Sequence, residues 1–415
     1  MANDLEHVYR ELIRETVDDF QVSTRLYTDS GVFDDEMARV FEKTWIYVGH
    51  VSEIPEINDY KTANIGRRPV IVVRSGRDEF CVLVNECKHR GNAICREEKG
   101  NVSRFVCPYH SWTYKTNGEL VGATHAEGYA EGFAQRLGGL DRAAVGIYQG
   151  LIFANLSPSP DDLSDHLGPV KSYIDLWAEV SPEGQIGLAR PHKYAYRGNW
   201  KFMAENGYDG WHAKYLHQSA YDTMEHFGMG QSLAGGERGR NWAGHASGLE
   251  RGHGFLERPW RGQGMTEEQD QAYQSRMASR FSSSRLDKII RHRHVFVFPN
   301  LYLFDYIIRV IHPVAVDYTT ISSHFIRWIG ADKEVNRLRL KNVQRLLGTG
   351  GMVGTDDVEM CASNQAGMAG TNDWVVLSQG MRVEQMNDLG ERIAPDWSET
   401  PLRALYRHWR RVMST

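Results

Sequence analysis

The chain has 415 residues, of which 41% are hydrophobic, 24% charged and 11% aromatic, enough apolar content for two cores and unlike a disordered tail, a collagen-like fibre or a disulfide miniprotein. Lys plus Arg total 48 against 53 Asp plus Glu, a formal net charge of -5 with no long basic run, which speaks against nucleic acid as a partner. Five cysteines, an odd number in a chain with no secretory signature, point to metal binding or buried thiols in place of disulfides.

The first twenty residues, MANDLEHVYRELIRETVDDF, are charged from the fourth onward and lack the basic and apolar regions of a secretory signal, so the expected location is the cytoplasm. Two short helices are expected to open the chain over residues 1–45 and to pack on the second of two domains that follow. The second carries Phe33, Met37, Val40, Phe41 and Trp45 on one face. From Ile46 the pattern changes to β-rich runs, RPVIVVRS, EFCVLVNEC, SRFVCPYHSWTY and GLIFANL, separated by Gly, Asn and Asp turns. These predict a small antiparallel domain over residues 46–156. SPSPDD then reads as a linker into a second domain, residues 157–415, of mixed helices and strands. Within it, residues 228–264 are dense in Gly, Arg and His and read as a lid or mobile loop. The most apolar stretch, Tyr302 to Val316, is cut by Asp305, Arg309 and His312, far short of the roughly 20 apolar residues of a membrane span. TISSHFIRWIG and KEVNRLRLKNVQRLLG follow as a strand and an amphipathic helix. Gly348, Gly350, Gly351 and Gly354 lie between two helices and not between a strand and a helix, so no dinucleotide fingerprint is present. The fold class is α+β.

Two sets of residues carry chemistry. Cys87 and His89 stand two apart in NECKHRG, and Cys107 and His110 three apart in CPYHSW, each pair where a strand turns. A structural zinc site groups like ligands in each knuckle, so the order Cys, His, Cys, His counts against zinc. A Rieske 2Fe-2S cluster takes two thiolates on one iron and two imidazoles on the other, which two mixed loops can supply. Cys81, Cys95 and Cys361 have no such companions and read as buried apolar side chains.

In AENGYDGWHAKYLH, His212 and His217 are five apart. On an ideal helix that spacing turns side chains about 140° from each other, so a shared metal requires a break in the helix. Asp209, three before His212, is placed to accept a ring N–H and fix that imidazole, not to ligate. A carboxylate ligand is expected far along the chain, in GGMVGTDDVEM, where Asp356 and Glu359 read as a capping pair and leave Asp357 free. Taken alone, Asp357 reads as an acid favoured by a helix N-terminus before it reads as a ligand, and the two histidines, beside Trp211, Tyr208 and Tyr215, are equally interior residues. Two His and one carboxylate are nevertheless the ligand set of non-haem Fe(II) oxygenases, and a Rieske centre upstream makes that reading coherent.

At this point the sequence resembles the catalytic α subunits of the Rieske non-haem iron ring-hydroxylating oxygenases, over nearly the whole chain. It is most similar to the benzoate, toluate and anthranilate dioxygenase group. The stretches that carry the likeness are IYVGHVSEIPEINDYKTANIGRRPVIVVR, GNWKFMAENGYDGWH, FPNLYLFD with RVIHPVAVD, and MVGTDDVEMCASNQAGMAGT. The resemblance implies a Rieske all-β domain inserted into a helix-grip, START-like catalytic domain with an antiparallel sheet, one 2Fe-2S cluster held by Cys87, His89, Cys107 and His110, and one Fe(II) held by His212, His217 and Asp357. It also implies a ring of three α subunits in which the cluster of one serves the iron of its neighbour through an acid that Asp209 matches. One residue fewer separates Asn206 from Asp209 than in naphthalene-type members, a feature shared with the benzoate-like group.

The activity implied is cis-dihydroxylation of an aromatic carboxylate such as anthranilate or benzoate with O2. The electrons come from NADH through a separate reductase, with or without a ferredoxin, and the product is a diol acid or catechol. A small β subunit completing α3β3, or an α3 trimer, is expected, with no nucleic-acid or membrane partner. Hydroxylation of salicylate or another substituted arene would use the same motifs, and a Rieske electron carrier or a zinc module are the alternatives from other classes. A carboxylate needs a cation in an apolar pocket, for which Arg309 is a candidate, against the alternative of a salt bridge to Asp305 or another acid. Asn206, Met203, Tyr302 and Met352 are the other pocket candidates, against a place in the core.

Overall fold

The computed structural model describes residues 9–227, 244–259 and 264–415, and the chain divides into two units. One is the continuous segment Met37–Leu163; the other joins the residues through Glu36 to Ser164–Thr415. The first unit is thus inserted into the second, with its limits before residue 46 and beyond residue 156. The physical reason lies in the seam: Trp45 donates its indole N–H to the carbonyl of Asp161 (2.8 Å) and Asn155 donates to the carbonyl of Lys43, which ties both ends of the insertion to each other.

The inserted unit is built on a seven-stranded antiparallel sheet in the spatial order Ile46–His50, Leu151–Asn155, Arg142–Tyr148, Phe80–Val84, Arg68–Arg74, Asp59–Ile65, Lys99–Asn101. Val70 to Val73 and Val82 to Val84 are all buried, which explains their unbroken β-branched and apolar run. A three-stranded sheet, Leu120–Gly122, Thr113–Lys115 and Arg104–Val106, carries one of the two Cys-His loops. Its core joins Ile71, Val73, Leu83, Phe105, Trp112 and Tyr114 around Cys87 and Cys107.

The larger unit holds a nine-stranded antiparallel sheet ordered Ile186–Tyr196, Tyr318–Trp328, Ile307–Ala315, Leu301–Phe304, His292–Val297, Gly254–Arg258, His245–Gly248, Arg392–Pro395, Gln385–Met386. The last helix, Thr400–Met413, packs on the His245–Gly248 and Gly254–Arg258 strands and buries Leu402, Leu405, Tyr406, Trp409 and Met413, a spacing of three to four along one face. Among the described residues, no helix is long and apolar enough to cross a membrane.

Two local expectations change. The described residues open helical at 9–11, and a β-hairpin, Ile13–Glu15 with Phe20–Ser23, extended by Trp374–Val376, then separates them from the helical turns Arg25–Thr28, Ser30–Glu36 and Met37–Phe41. Phe20 and Val22 point inward at period two, and the Thr16 N–H to Asp19 carbonyl bond closes the turn, so strand pairing overrides the helical reading. In the stretch 228–264, residues 245–248 and 254–258 are paired strands of the large sheet; the lid reading of 228–243 and 260–263 lies outside the described residues.

Candidate active site

The two Cys-His loops of the inserted unit repeat one backbone design. Cys87 N–H donates to the carbonyl of Asn92 and Cys107 N–H to that of Trp112; Gly91 N–H donates to the carbonyl of Cys87 and Ser111 N–H to that of Cys107. Each loop therefore needs a left-handed residue four positions after its cysteine, supplied by Gly91 (φ 71°) and, at a steric cost, by Ser111 (φ 58°). The imidazoles of His89 and His110 lie 4.6 Å apart, and Trp112 stacks on His89 at 4.9 Å. Tyr114 OH lies 3.3 Å from Cys87 Sγ and accepts the Lys88 N–H. Burial raises the Cys87 thiol. It acts the same way on Cys107, but backbone N–H groups of Tyr109 and His110, with Cys87 and Asn92, outweigh it and draw the Cys107 thiol down.

These residues fit a two-iron cluster better than a single ion. Among the described residues, three ligand atoms within 4.8 Å of one another occur only in the set His212, His217 and Asp357, so the Cys-His loops do not close to the spacing of a tetrahedral zinc. Both thiols are free and buried, and the Nδ1 of His89 is buried with no hydrogen-bond partner, a polar atom awaiting a ligand.

The second centre begins on the helix Trp200–Asn206. Asn199 caps it through the Lys201 N–H, and Lys201 Nζ lies 2.6 Å from Glu36 Oε1 with both side chains fully buried. Trp200 and Trp409 also donate to Glu36 (2.8 and 2.7 Å), and Tyr302 OH donates to the Ala204 carbonyl, so the helix is clamped from three sides. It delivers Asn206 and the turn Gly207–Asp209 to the cavity. His212 stands before the short helix Ala213–Leu216 and His217 after it, with φ -95° and ψ 23°. That break resolves the five-residue spacing: the rings approach to 5.4 Å at 79°.

Both histidines present Nε2 to one oxygen of Asp357, at 3.4 Å from His212 and 3.2 Å from His217. Ligand bonds of about 2.1 Å that meet at right or tetrahedral angles set ligand atoms about 3.0–3.4 Å apart, so these residues fit a mononuclear iron with open positions. Each imidazole has a carboxylate behind it. Asp209 Oδ1 lies 3.5 Å from His212 Nδ1 and accepts the Trp211 and His212 backbone N–H groups, while Asp356 Oδ2 lies 3.1 Å from His217 Nδ1. The role of Asp356 corrects the capping pair expected with Glu359. The helix Gly354–Met368 starts without a side-chain cap, so Asp356 falls inside its first turn and turns to His217. Burial would lift the Asp357 carboxyl, but hydrogen bonds from His212 and His217 hold it far below the usual carboxylate range.

Beside this face lies a cavity of about 180 Å³, lined among others by Asn206, His292, His294, Phe304, Arg309 and Val343. An apolar cavity of about 150 Å³ takes up benzene, so one substituted ring fits. Of the five pocket candidates, Asn206 and Arg309 line it. Met203, Tyr302 and Met352 do not: Met203 and Tyr302 are wholly buried in the core, and Met352 is bound by its N–H to the Arg345 carbonyl in the glycine-rich turn. Arg309 is 3% exposed and has no salt bridge to Asp305, which instead faces His292. Its Nη1 donates to Met203 Sδ (3.1 Å) and Asn206 Oδ1 (3.5 Å), its plane lies 5.0 Å from the Phe304 ring, and its Nε has no partner. Asn206 in turn donates to Asp357 Oδ1 (3.0 Å), one side chain removed from Arg309. His292 and His294 escaped the sequence reading. Their alternation in RHRHVFVF marks one face of a strand, but not which face meets the cavity.

Two mixed Cys-His loops and a His-His-carboxylate face together are the ligand sets of an oxygenase that couples an iron–sulfur cluster to a mononuclear iron. Residues 185–415 match the family described as ring hydroxylating alpha subunit (catalytic domain), and residues 44–133 match the Rieske [2Fe-2S] domain. The chain belongs to the ring-hydroxylating alpha subunits of the Rieske dioxygenases, oxidoreductases with a 2Fe-2S cluster and a mononuclear iron. It is 31% identical over 383 residues to the anthranilate 1,2-dioxygenase large subunit of Acinetobacter baylyi, covering 87% of this chain and 80% of that protein. To the toluate 1,2-dioxygenase subunit alpha of Pseudomonas putida it is 32% identical over 402 residues, covering 92% and 83%. The crystal structure of naphthalene 1,2-dioxygenase from Rhodococcus sp. bound to indole superposes with a TM-score of 0.86 at 26% identity, covering 100% of this chain and 99% of that one.

Proposed function

We propose that this chain is the terminal oxygenase subunit of a multicomponent dioxygenase that cis-dihydroxylates an aromatic carboxylate of the anthranilate or benzoate type, at the carboxylate-bearing carbon and its neighbour. The observation that carries the substrate class is Arg309, a buried guanidinium on the cavity wall with an unpartnered Nε and, among the described residues, no ion pair. Burying a charge without a counter-charge costs several kcal/mol, on the order of the penalty per buried ion, unless a ligand supplies the opposite charge. A ring carboxylate does so, and the flat fork of a guanidinium suits it.

In this reading Cys87, His89, Cys107 and His110 hold the cluster, and His212, His217 and Asp357 hold the iron. The cluster supplies single electrons and the ferrous iron activates dioxygen. The protein's own task is placement. Arg309 anchors the carboxylate, Phe304 lies along the guanidinium, and Asn206 spans from Arg309 to Asp357, so the ring carbons nearest the carboxylate are those set against the iron ligands. Apolar Leu256, Val343, Leu346 and Leu347 line the same cavity and exclude water from it. Asp209 is the bridging acid toward a neighbouring subunit: its Oδ1 lies 3.5 Å from His212 Nδ1 and accepts two backbone N–H groups, and its side chain is 29% exposed.

The expected partners are an NADH-dependent reductase and a small β subunit, consistent with relatives that are named large or alpha subunits. A cytoplasmic location goes with such a donor. The test is oxygen uptake by protein supplied with a reductase, across benzoate, anthranilate, salicylate, the toluates and uncharged arenes. Product from one or more of the acids, with the matching uncharged rings at least tenfold poorer, is expected; equal use of uncharged arenes would refute the carboxylate reading.

A further inference from the structure

The cavity wall formed by the His292–Val297 strand carries a chain of hydrogen bonds that no ligand set uses: Asp305, His292, His294 and the carbonyl of Gly207. His294 Nδ1 lies 2.8 Å from the Gly207 oxygen, and His294 Nε2 lies 3.2 Å from His292 Nε2. His292 Nδ1 faces Asp305 Oδ2, while Asp305 Oδ1 accepts the Arg293 backbone N–H at 3.2 Å. Both rings line the cavity beside the metal face.

Proton counting follows from which atoms can donate. A carbonyl only accepts, so His294 Nδ1 carries a hydrogen. His294 is buried, and His292, Arg258 and Arg309 around it also disfavour a positive charge, so its Nε2 is left as an acceptor. His292 Nε2 must then donate to it. At the far end, a bare ring nitrogen opposite a carboxylate oxygen would set two lone pairs against each other, so this contact also holds a proton. Three contacts thus hold three protons, whereas two neutral imidazoles and a carboxylate bring two. The extra proton belongs to the His292–Asp305 pair. Tyr306, whose ring lies 6.5 Å from His292, Arg258, opposite His292 in the sheet register, and Arg339, whose Nη2 donates to the Asp305 backbone carbonyl at 2.6 Å, also face the pair.

The reaction needs such a proton. An arene, O2, two electrons and two protons give the cis-diol: the O–O bond and one ring π bond break, and two C–O and two O–H bonds form. The electrons come from the reductase system and the protons from water. Among the cavity-lining residues, the arginines do not release protons, and His292 and His294 are the imidazoles outside the metal set. We propose that His292 is a catalytic acid of the ring hydroxylation, giving its Nε2 proton to a nascent product hydroxyl and regaining one from water, while Asp305 holds Nδ1 and steadies the imidazolium. This rests on the ring hydroxylation common to the family and not on the carboxylate reading.

The test has two arms. Neutron diffraction from crystals of the deuterated, oxidised protein is expected to place deuterium on both ring nitrogens of His292 and on Nδ1 alone of His294, a result independent of turnover and of substrate. In the second arm His292→Gln, which can still hydrogen-bond to His294, keeps iron content and substrate dissociation constant within about twofold but loses on the order of 100-fold in turnover, with partial rescue by added imidazole. Asp305→Asn gives the same pattern and serves where the Gln variant does not fold. A single deuterium on His292, or turnover of either folded variant within threefold of the unsubstituted protein, would overturn the assignment.

Discussion

Replacing Arg309 by Met separates a binding cation from a structural one, because the two roles predict changes of opposite sign in stability. The side chain is 3% exposed, and its recorded partners are a thioether at 3.1 Å, an amide oxygen at 3.5 Å and an aromatic face at 5.0 Å, with Nε unserved. None of these repays a buried charge. Met has similar length and suits the surroundings of Met203 and Phe304, so the substrate-free protein should gain about 1–3 kcal/mol, within the range found when buried charges give way to apolar side chains. That is a rise of a few degrees in melting temperature. Binding moves the other way. A guanidinium–carboxylate contact out of water is worth about 3 kcal/mol, or roughly 150-fold in the dissociation constant. The assay pairs thermal unfolding without substrate with dissociation constants for benzoate or anthranilate and for an uncharged arene. A more stable protein that has lost about two decades of affinity for the acid alone supports the reasoning. A less stable protein with unchanged preference would refute it and make Arg309 part of the scaffold.

Asp209→Ala should retain both metals yet reduce turnover at least 100-fold, as read by iron and sulfide analysis alongside product formation; near-normal turnover would remove its bridging role. Asp356→Ala leaves His217 Nδ1 without its carboxylate and should weaken iron binding about 10–100-fold with the fold intact, measured by iron competition with a chelator. Cys107→Ser should abolish the visible absorption of the cluster while iron remains at His212, His217 and Asp357, leaving about one iron per chain in place of about three. A pH effect follows from His212. In metal-free protein burial would lower its pKa, but Asp209 and Asp357 outweigh burial and lift it to about 9, above the usual 6.5. A raised pKa adds stability that is complete below about 6.5 and is lost as pH climbs through 9, whereas an iron-bound imidazole is already neutral. The melting temperatures of iron-loaded and metal-free protein should therefore draw apart between pH 6.5 and 9; a constant gap would contradict the assigned partners.

The candidate ligand residues were legible because they are uncommon residue types in mixed pairs on turns, and their spacing survives folding. Their supports were less so. Asp356 read as a cap because the start of its helix depends on the preceding glycine-rich turn, where the N–H groups of Met352 and Val353 return to the carbonyls of Arg345 and Leu346 and shift the helix onset to Gly354. Arg309 and Asp305, four apart, suited a salt bridge on paper. In the structure Asp305 sits between the Leu301–Phe304 and Ile307–Ala315 strands and turns to His292, while Arg309 points to the cavity. Met203 and Tyr302 were credited to the pocket from nearness in sequence to the motifs. Position along a helix and along a strand instead puts them behind it, where Tyr302 holds the Ala204 carbonyl. The N-terminal hairpin was hidden because its third strand, Trp374–Val376, lies some 350 residues away.

The central claim is that this iron site oxidises an aromatic acid held by Arg309. It is tested most directly by a single turnover: protein with both centres chemically reduced, exposed to 18O2 with a mixture of benzoate, anthranilate and uncharged arenes, and analysed by mass spectrometry. The account predicts one acid converted to a cis-diol acid with two labelled oxygens or, in the case of anthranilate, to the catechol left after loss of carbon dioxide and ammonia, with the uncharged rings untouched. Labelled product from uncharged arenes alone would contradict it.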